Sequence, residues 1–231
     1  MRASMKATPP LLLVAHGTRD SAGPVVVERI AAAVADRASV PVHVAYVDVI
    51  GPTVAEALGA LHGPVVVLPA FLASGYHVRT DLPAQIAEVG RTSDVAVTAS
   101  LGPSPELAEA MLDRLLEAGW RPGEQVLLSA AGSSDEGALA DVRTAANLLG
   151  RLCGQWLHPS FVTTAAPLTA DLCADGRAGF IAPYLLAPGL FHRKLNELPV
   201  HAVAEPIGAH PRVIDLVVRR HSAACRDSFA A

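Results

Sequence analysis

Apolar positions along the chain follow two rhythms. Continuous aliphatic runs, LLLVAH (11–16), VHVAYVDV (42–49) and VVVLPAFL (65–72), carry little polar alternation, which predicts strands buried on both faces of a sheet. Between them, apolar residues recur at helical spacing over 25–38, 53–61, 82–89 and 105–118, and DVAVTAS (94–100) predicts a fourth strand. Strands alternating with helices predict an α/β fold with a parallel sheet covered by helices.

The same rhythm occurs twice. Shifted by about 115 positions, LLVAHGTRDS falls on LLSAAGSSDE and VHVAYVD on LHPSFVT; shifted by 114, VLPAFLASGYH falls on IAPYLLAPGLF. Three strand-to-loop junctions recurring in order indicate an internal duplication. Gly119, Pro122 and Gly123 punctuate the seam. The expected organisation is therefore two similar lobes, 9–121 and 122–223, each a parallel β-sheet flanked by helices.

The two copies differ in chemistry. Ligands of open parallel sheets bind beyond the carboxyl ends of the strands, and there the first copy carries His16, Asp48 and His77. The aligned second-copy positions are Ala131, Thr163 and Phe191, although a one-residue gap would instead bring His192 onto His77. A lone strand-end histidine is commonly structural and an aspartate there commonly caps a helix. Three metal-capable groups on one edge of one copy point instead to a divalent-ion site. Imidazole with carboxylate suits Fe²⁺, Co²⁺, Ni²⁺ or Zn²⁺, and three ligands leave positions at which an ion can react or be handed on.

Composition removes other classes. With 51% hydrophobic and 17% charged residues in 231, the chain has ample apolar surface to fold. Aromatics at 4% and a net charge of −4 argue against nucleic-acid binding. No apolar run reaches the roughly 18 residues of a membrane span. Cys153, Cys173 and Cys225 form no CxxC pair and read as reduced thiols of a cytoplasmic protein. HGTRDSAG lacks both the GxGxxG spacing and the Walker lysine, and no GxSxG elbow is present.

The segments LLLVAHGTRDS, AYVDVIGPTVAEAL and VVVLPAFLASGYHVRTDLP resemble the sirohydrochlorin chelatases, the CbiX/SirB-type class II tetrapyrrole chelatases, in their two-lobed long form. The resemblance is most specific over 11–83 and looser to about 118. It implies a lyase inserting Fe²⁺ for siroheme, or Co²⁺ toward cobalamin, into sirohydrochlorin without ATP, the metal being a substrate and no tightly bound cofactor being expected. It makes His16 a metal ligand and proton acceptor, His77 the second metal-binding histidine, and Leu72, Ala73, Ser74, Gly75 and Tyr76 the wall against the macrocycle. Asp48 stands where the family usually has glutamate, and could touch the metal, orient a histidine or contact the substrate. Arg19 and Arg79 would face substrate carboxylates, with Arg193 and Lys194 in the matching loop of the second copy. The implied partner is a tetrapyrrole, with no nucleic acid or membrane, and two lobes in one chain are compatible with a monomer. A non-catalytic tetrapyrrole- or metal-delivery protein on the same fold is the alternative.

Overall fold

The computed structural model describes residues 8–75, 77–174 and 179–229, and of His77 the backbone. The first half runs β1 (Leu11–Ala15), α1 (Ala22–Ala38), β2 (Val42–Tyr46), α2 (Val54–Ala60), β3 (Val65–Pro69), α3 (Leu82–Glu88), β4 (Val95–Val97) and α4 (Pro105–Glu117). The second runs β5 (Val126–Ala130), α5 (Glu136–Cys153), β6 (Pro159–Phe161), α6 (Thr169–Cys173), β7 (Phe180–Tyr184), α7 (Leu190–Asn196), β8 (Ala202–Val203) and α8 (Pro211–Phe229). Local sequence sets several of these starts. Thr53 and Glu56 close a reciprocal capping box on α2. The Ser104 hydroxyl accepts from Leu107 N ahead of Pro105-led α4, and Asp135 accepts from Ala138 N to cap α5.

Among the described residues the strands form two parallel four-stranded sheets with orders β2-β1-β3-β4 and β6-β5-β7-β8. The register resolves the alignment gap. Leu11 pairs with Val66 and Val126 with Phe180, so a shift of 115 at β1 meets one of 114 at β3. Pro69 and Pro183 are then equivalent, and the residue matching His77 is Phe191. In both sheets the order reverses direction between the first and third strands. That switch point opens a crevice at the carboxyl ends.

Both faces of each sheet are covered, which explains the uninterrupted aliphatic runs. Leu12, Val14 and Val67 pack outward with Val54, Leu58, Leu82 and Ile86 of α2 and α3, while Leu11, Leu13, Val66 and Leu68 face inward. The inward face belongs to one apolar cluster that also takes in Val126, Leu128, Phe180 and Ala182 of the second sheet. Between the sheets, α4 packs on β7 and α5, whereas α8 packs on β3, β4 and α1. Each sheet is thus covered by the closing helix of the other half. The linear division at 121/122 separates the sheets but not their helical coverings. Arg212 on α8 bonds Glu109 and Asp113 on α4, and Arg219 pairs with Glu106.

A difference in helix placement lies after β3. The apolar pattern predicts a helix from 82, yet a π-helical turn, His77–Asp81, precedes α3 and runs into it. Both Val78 N and Arg79 N donate to the Gly75 carbonyl. Wide turns of this kind have no hydrophobic period of their own and recur at functional sites.

Candidate functional site

β1 delivers His16 to the switch point, one residue beyond its last paired position. The next residue, Gly17, has φ 91°, and a Cβ there would collide with the carbonyl oxygen of Asp48. Glycine is what lets the loops after β1 and β2 touch. Asp48 N donates to the His16 carbonyl at 3.1 Å, so two of the three expected metal-capable residues become backbone neighbours. Both side chains are exposed. The His16 ring nitrogen Nδ1 lies 2.9 Å from the Gly17 carbonyl. A carbonyl can only accept, so Nδ1 is the donor, which leaves Nε2 as the nitrogen that can carry a lone pair. The Asp48 carboxylate accepts from Val49 N at 2.7 Å. Val49 has φ 70°, an unfavourable conformation for a β-branched residue, held in place by these bonds.

His16 and Arg19 line a cleft of about 800 Å³ whose opposite wall is Ala131–Ser133 and the loop from Ala187 to Phe191. The cleft lies between the two lobes, and its size is within the range of about 300–1,000 Å³ of small-molecule sites. The expected macrocycle wall is placed differently along its length. Leu72 and Ala73 line a smaller apolar cavity of about 230 Å³ between the lobes, against Leu139, Val142 and Tyr184. Ser74 N donates to Asp141 Oδ2 at 2.7 Å, and a Cβ at Gly75 would meet that of Ala138. Tyr76 and the side chain of His77 lie outside the described residues. The backbone places His77 at the start of the π-helical turn, across the switch point from β1. Among the described residues no three His, Cys, Asp or Glu side chains form a metal-holding group.

Two of the expected carboxylate-facing arginines have protein partners. Arg79 pairs with Asp135 and Arg193 with Asp20, each across the lobes. His192 is buried and donates to the Ala204 carbonyl at 3.2 Å, while Lys194 is exposed. Hydrogen bonds from Arg193, then Ala22 N, hold Asp20 below the ordinary carboxylate range, and those from Ala138 N, then Arg79, do the same for Asp135.

Sequence reasoning did not single out Tyr184, Asp141, Asp20 or Asp135. Tyr184 donates its hydroxyl to the Leu72 carbonyl at 2.6 Å, and burial, then the charge of Asp141, pushes its phenol far above the usual range. It therefore stays a neutral donor that anchors the loop after β3. Nothing near Tyr184 in the sequence announces that contact. The aspartates did leave a signal, since Asp20 and Asp135 fall on one another in the repeat, as do Arg79 and Arg193.

Comparison with known proteins agrees with this geometry. The CbiX family model matches residues 10–118, covering the first sheet and its site loops. A sirohydrochlorin cobaltochelatase of Methanothermobacter thermautotrophicus is 28% identical over 130 residues, 47% of this chain and 91% of the relative. Among solved structures, SirB from Bacillus subtilis with Fe³⁺ has a TM-score of 0.81 at 23% identity, over 95% of this chain and 97% of that one. CbiX, described as the terminal enzyme for biosynthesis of siroheme in denitrifying bacteria, has a TM-score of 0.72 at 24% identity, over 93% and 99%. No helix among the described residues is long and apolar enough to cross a membrane. The CbiX family's sequence pattern therefore lies on the first lobe, and the fold of the two-lobed class II chelatases extends through the whole chain.

Proposed function

We propose that the protein inserts Fe²⁺ or Co²⁺ into sirohydrochlorin in the cleft between its lobes, without ATP and with the first lobe supplying the chemistry. The observation that carries this reading is the position of His16. It lines the one wall of the cleft drawn from the family-matched half, at the switch point of the first sheet, with its tautomer set by the Gly17 carbonyl.

Insertion exchanges two pyrrole N–H protons for one divalent ion, so the site must hold the ion loosely and accept two protons. A neutral imidazole serves both ends, as ligand first and as base once the ring nitrogens take the metal. His16 and His77 are assigned these roles. Asp48, tied at its backbone to the His16 carbonyl, supplies negative charge that favours the cation and then the imidazolium. Residues 72–76 form the wall on the β3 side, and Arg19 and Arg79 meet substrate carboxylates. The second lobe closes the cleft as the opposite wall. On this reading the reaction is cytoplasmic, needs neither nucleic acid nor membrane, and is complete within one two-lobed chain.

The test is steady-state insertion of Fe²⁺ and Co²⁺ into sirohydrochlorin, followed by absorbance. Metal-dependent conversion faster than buffer is expected for the wild-type chain, and His16→Ala and His77→Ala should both lose it. A wild-type chain that binds sirohydrochlorin and inserts neither ion would instead be a tetrapyrrole-delivery protein. Full rate in both variants would remove the histidines from the mechanism.

A further inference from the structure

Two ion pairs join the lobes, and the duplication relates them. Asp20, just ahead of α1, accepts from Ala22 N through Oδ1 at 3.1 Å and from Arg193 Nη1 through Oδ2 at 2.8 Å. Asp135, just ahead of α5, accepts from Ala138 N through Oδ1 at 2.9 Å and also takes Arg79. Asp20 and Asp135 are repeat equivalents, and so are Arg79 and Arg193. Each lobe therefore extends an arginine from the helical segment after its third strand onto the aspartate of the other. The two carboxylates are 26% and 28% exposed, and Arg193 and Arg79 are 61% and 52% exposed. Asp20 itself lines the His16 cleft.

We propose that Arg193 and Arg79 are exchangeable carboxylate clamps, kept in position by Asp20 and Asp135 and transferred to the carboxylates of the incoming substrate. The inference rests on the tetrapyrrole reading of the cleft. A guanidinium offers five donors in a planar fork suited to two-point capture of a carboxylate. Arg193 commits one of its nitrogens to Asp20. Exposed ion pairs contribute little net stability because water screens them and ordering two long side chains costs entropy, so substitution of one carboxylate for another is nearly balanced. The aspartates meanwhile spare the substrate the entropy of ordering two mobile side chains. They also offset the guanidinium charge, and beyond the screening length of about 8 Å at physiological salt little field remains, so exchange waits for direct bonds.

The test is a double-mutant cycle on binding of metal-free sirohydrochlorin by fluorescence titration, using wild type, Asp20→Asn, Arg193→Gln and the double variant. Asparagine keeps an oxygen for Ala22 N but releases the guanidinium. Exchange predicts that Asp20→Asn tightens binding about threefold, that Arg193→Gln weakens it by a similar factor, and that the Asp20→Asn gain vanishes in the Arg193→Gln background. Arg193→Lys should recover part of the loss, since it keeps the charge without the fork. Urea midpoints establish that all variants are folded. Additive effects would show only a change of local field and overturn the exchange, as would equal affinity in all four proteins while wild type still inserts metal. Absence of sirohydrochlorin binding by wild type would overturn the chelatase reading, and the clamps with it.

Discussion

The loops after β1 and β5 follow one backbone path. Gly17 and Gly132 both have positive φ, and at each a Cβ would collide with the carbonyl of the neighbouring loop, that of Asp48 or Thr163. Val47 N and Asp48 N donate to the Ala15 and His16 carbonyls, and Val162 N and Thr163 N donate to those of Ala130 and Ala131. Even the unfavourable φ recurs, at Val49 and Thr164. The side chains are where the loops part, because His16 and Asp48 are matched by Ala131 and Thr163. Features shared by these loops therefore answer to the fold, and the side chains on which the loops differ are the candidates for chemistry. By that division the glycine of HGTRD is scaffold and its histidine is the group proposed for chemistry.

The outer core differs in the opposite sense. Val14, Ala45 and Val54 belong to the apolar cluster beneath α2 and α3. Their equivalents Ser129, Ser160 and Thr169 form a buried hydroxyl chain: Ser129 and Thr169 at 2.6 Å, Thr169 to Ser160 at 2.9 Å, and Ser160 to the Leu128 carbonyl at 2.9 Å. The second lobe has thus exchanged polar groups at its site for polar groups in its core. These remain buried without penalty because every hydroxyl has a partner.

Four measurements would break or sharpen this contrast. The largest effect is expected in the shared core, where Phe180 occupies the register position of Val66. Phe180→Ala should cost about 3–5 kcal/mol by urea denaturation, and Val66→Ala about half as much, because less volume is removed. Equal costs would mean that the inner faces of the two sheets are not packed as the register implies. Next, His16→Ala should lower the insertion rate about 100-fold or more, whereas Ala131→His should add no activity. A gain on the second side would contradict the assignment of the chemistry to the first lobe alone.

A smaller effect is expected at the hydroxyl chain. Thr169→Val alone strands Ser129 in the core and should cost about 1–3 kcal/mol. Installing the complete first-lobe set, Ser129→Val, Ser160→Ala and Thr169→Val, should return stability to within about 1 kcal/mol of wild type, since both partners are then apolar. A triple variant much worse than the single would show that the hydroxyls hold the lobe's geometry. The smallest effect concerns the clamps. Asp20 and Asp135 have depressed pKa values in the folded protein. The stability they contribute is complete above the unfolded aspartate value of about 3.9 and is lost as pH falls through the folded values. At neutral pH both pairs are intact. Carboxyl carbon shifts read by NMR should titrate below the ordinary range for both, and Arg193→Gln should raise the Asp20 value while leaving Asp135 in place. If both moved together, the two pairs would be coupled rather than independent.

Much of this contrast could be read from the chain because it is local or periodic. The aliphatic runs marked β1, β2 and β3 within a few residues, since burial on two faces removes polar positions from a strand. His16 and Asp48 stood out because the repeat supplied a second copy lacking them. The π-helical turn was hidden because a wide turn has no hydrophobic period. The second-lobe equivalent of His77 was ambiguous by one residue until the pairing of Leu11 with Val66 and Val126 with Phe180 set it. Arg79 read as a group awaiting substrate because its partner Asp135 lies 56 residues away.

The sequence by itself determined the α/β rhythm, the duplication and the residues on which the copies differ, all carried by neighbours in the chain or by its two-fold repetition. Only the tertiary structure decided that α4 and α8 trade sheets, that Tyr184 holds the loop at Leu72, and that Arg79 and Arg193 each reach into the opposite lobe. Those contacts join distant segments, and they depend on how two covered sheets meet around one apolar core. No local pattern of residues encodes that meeting, because burial rewards any close packing of apolar faces and the pairing follows from their combined shape.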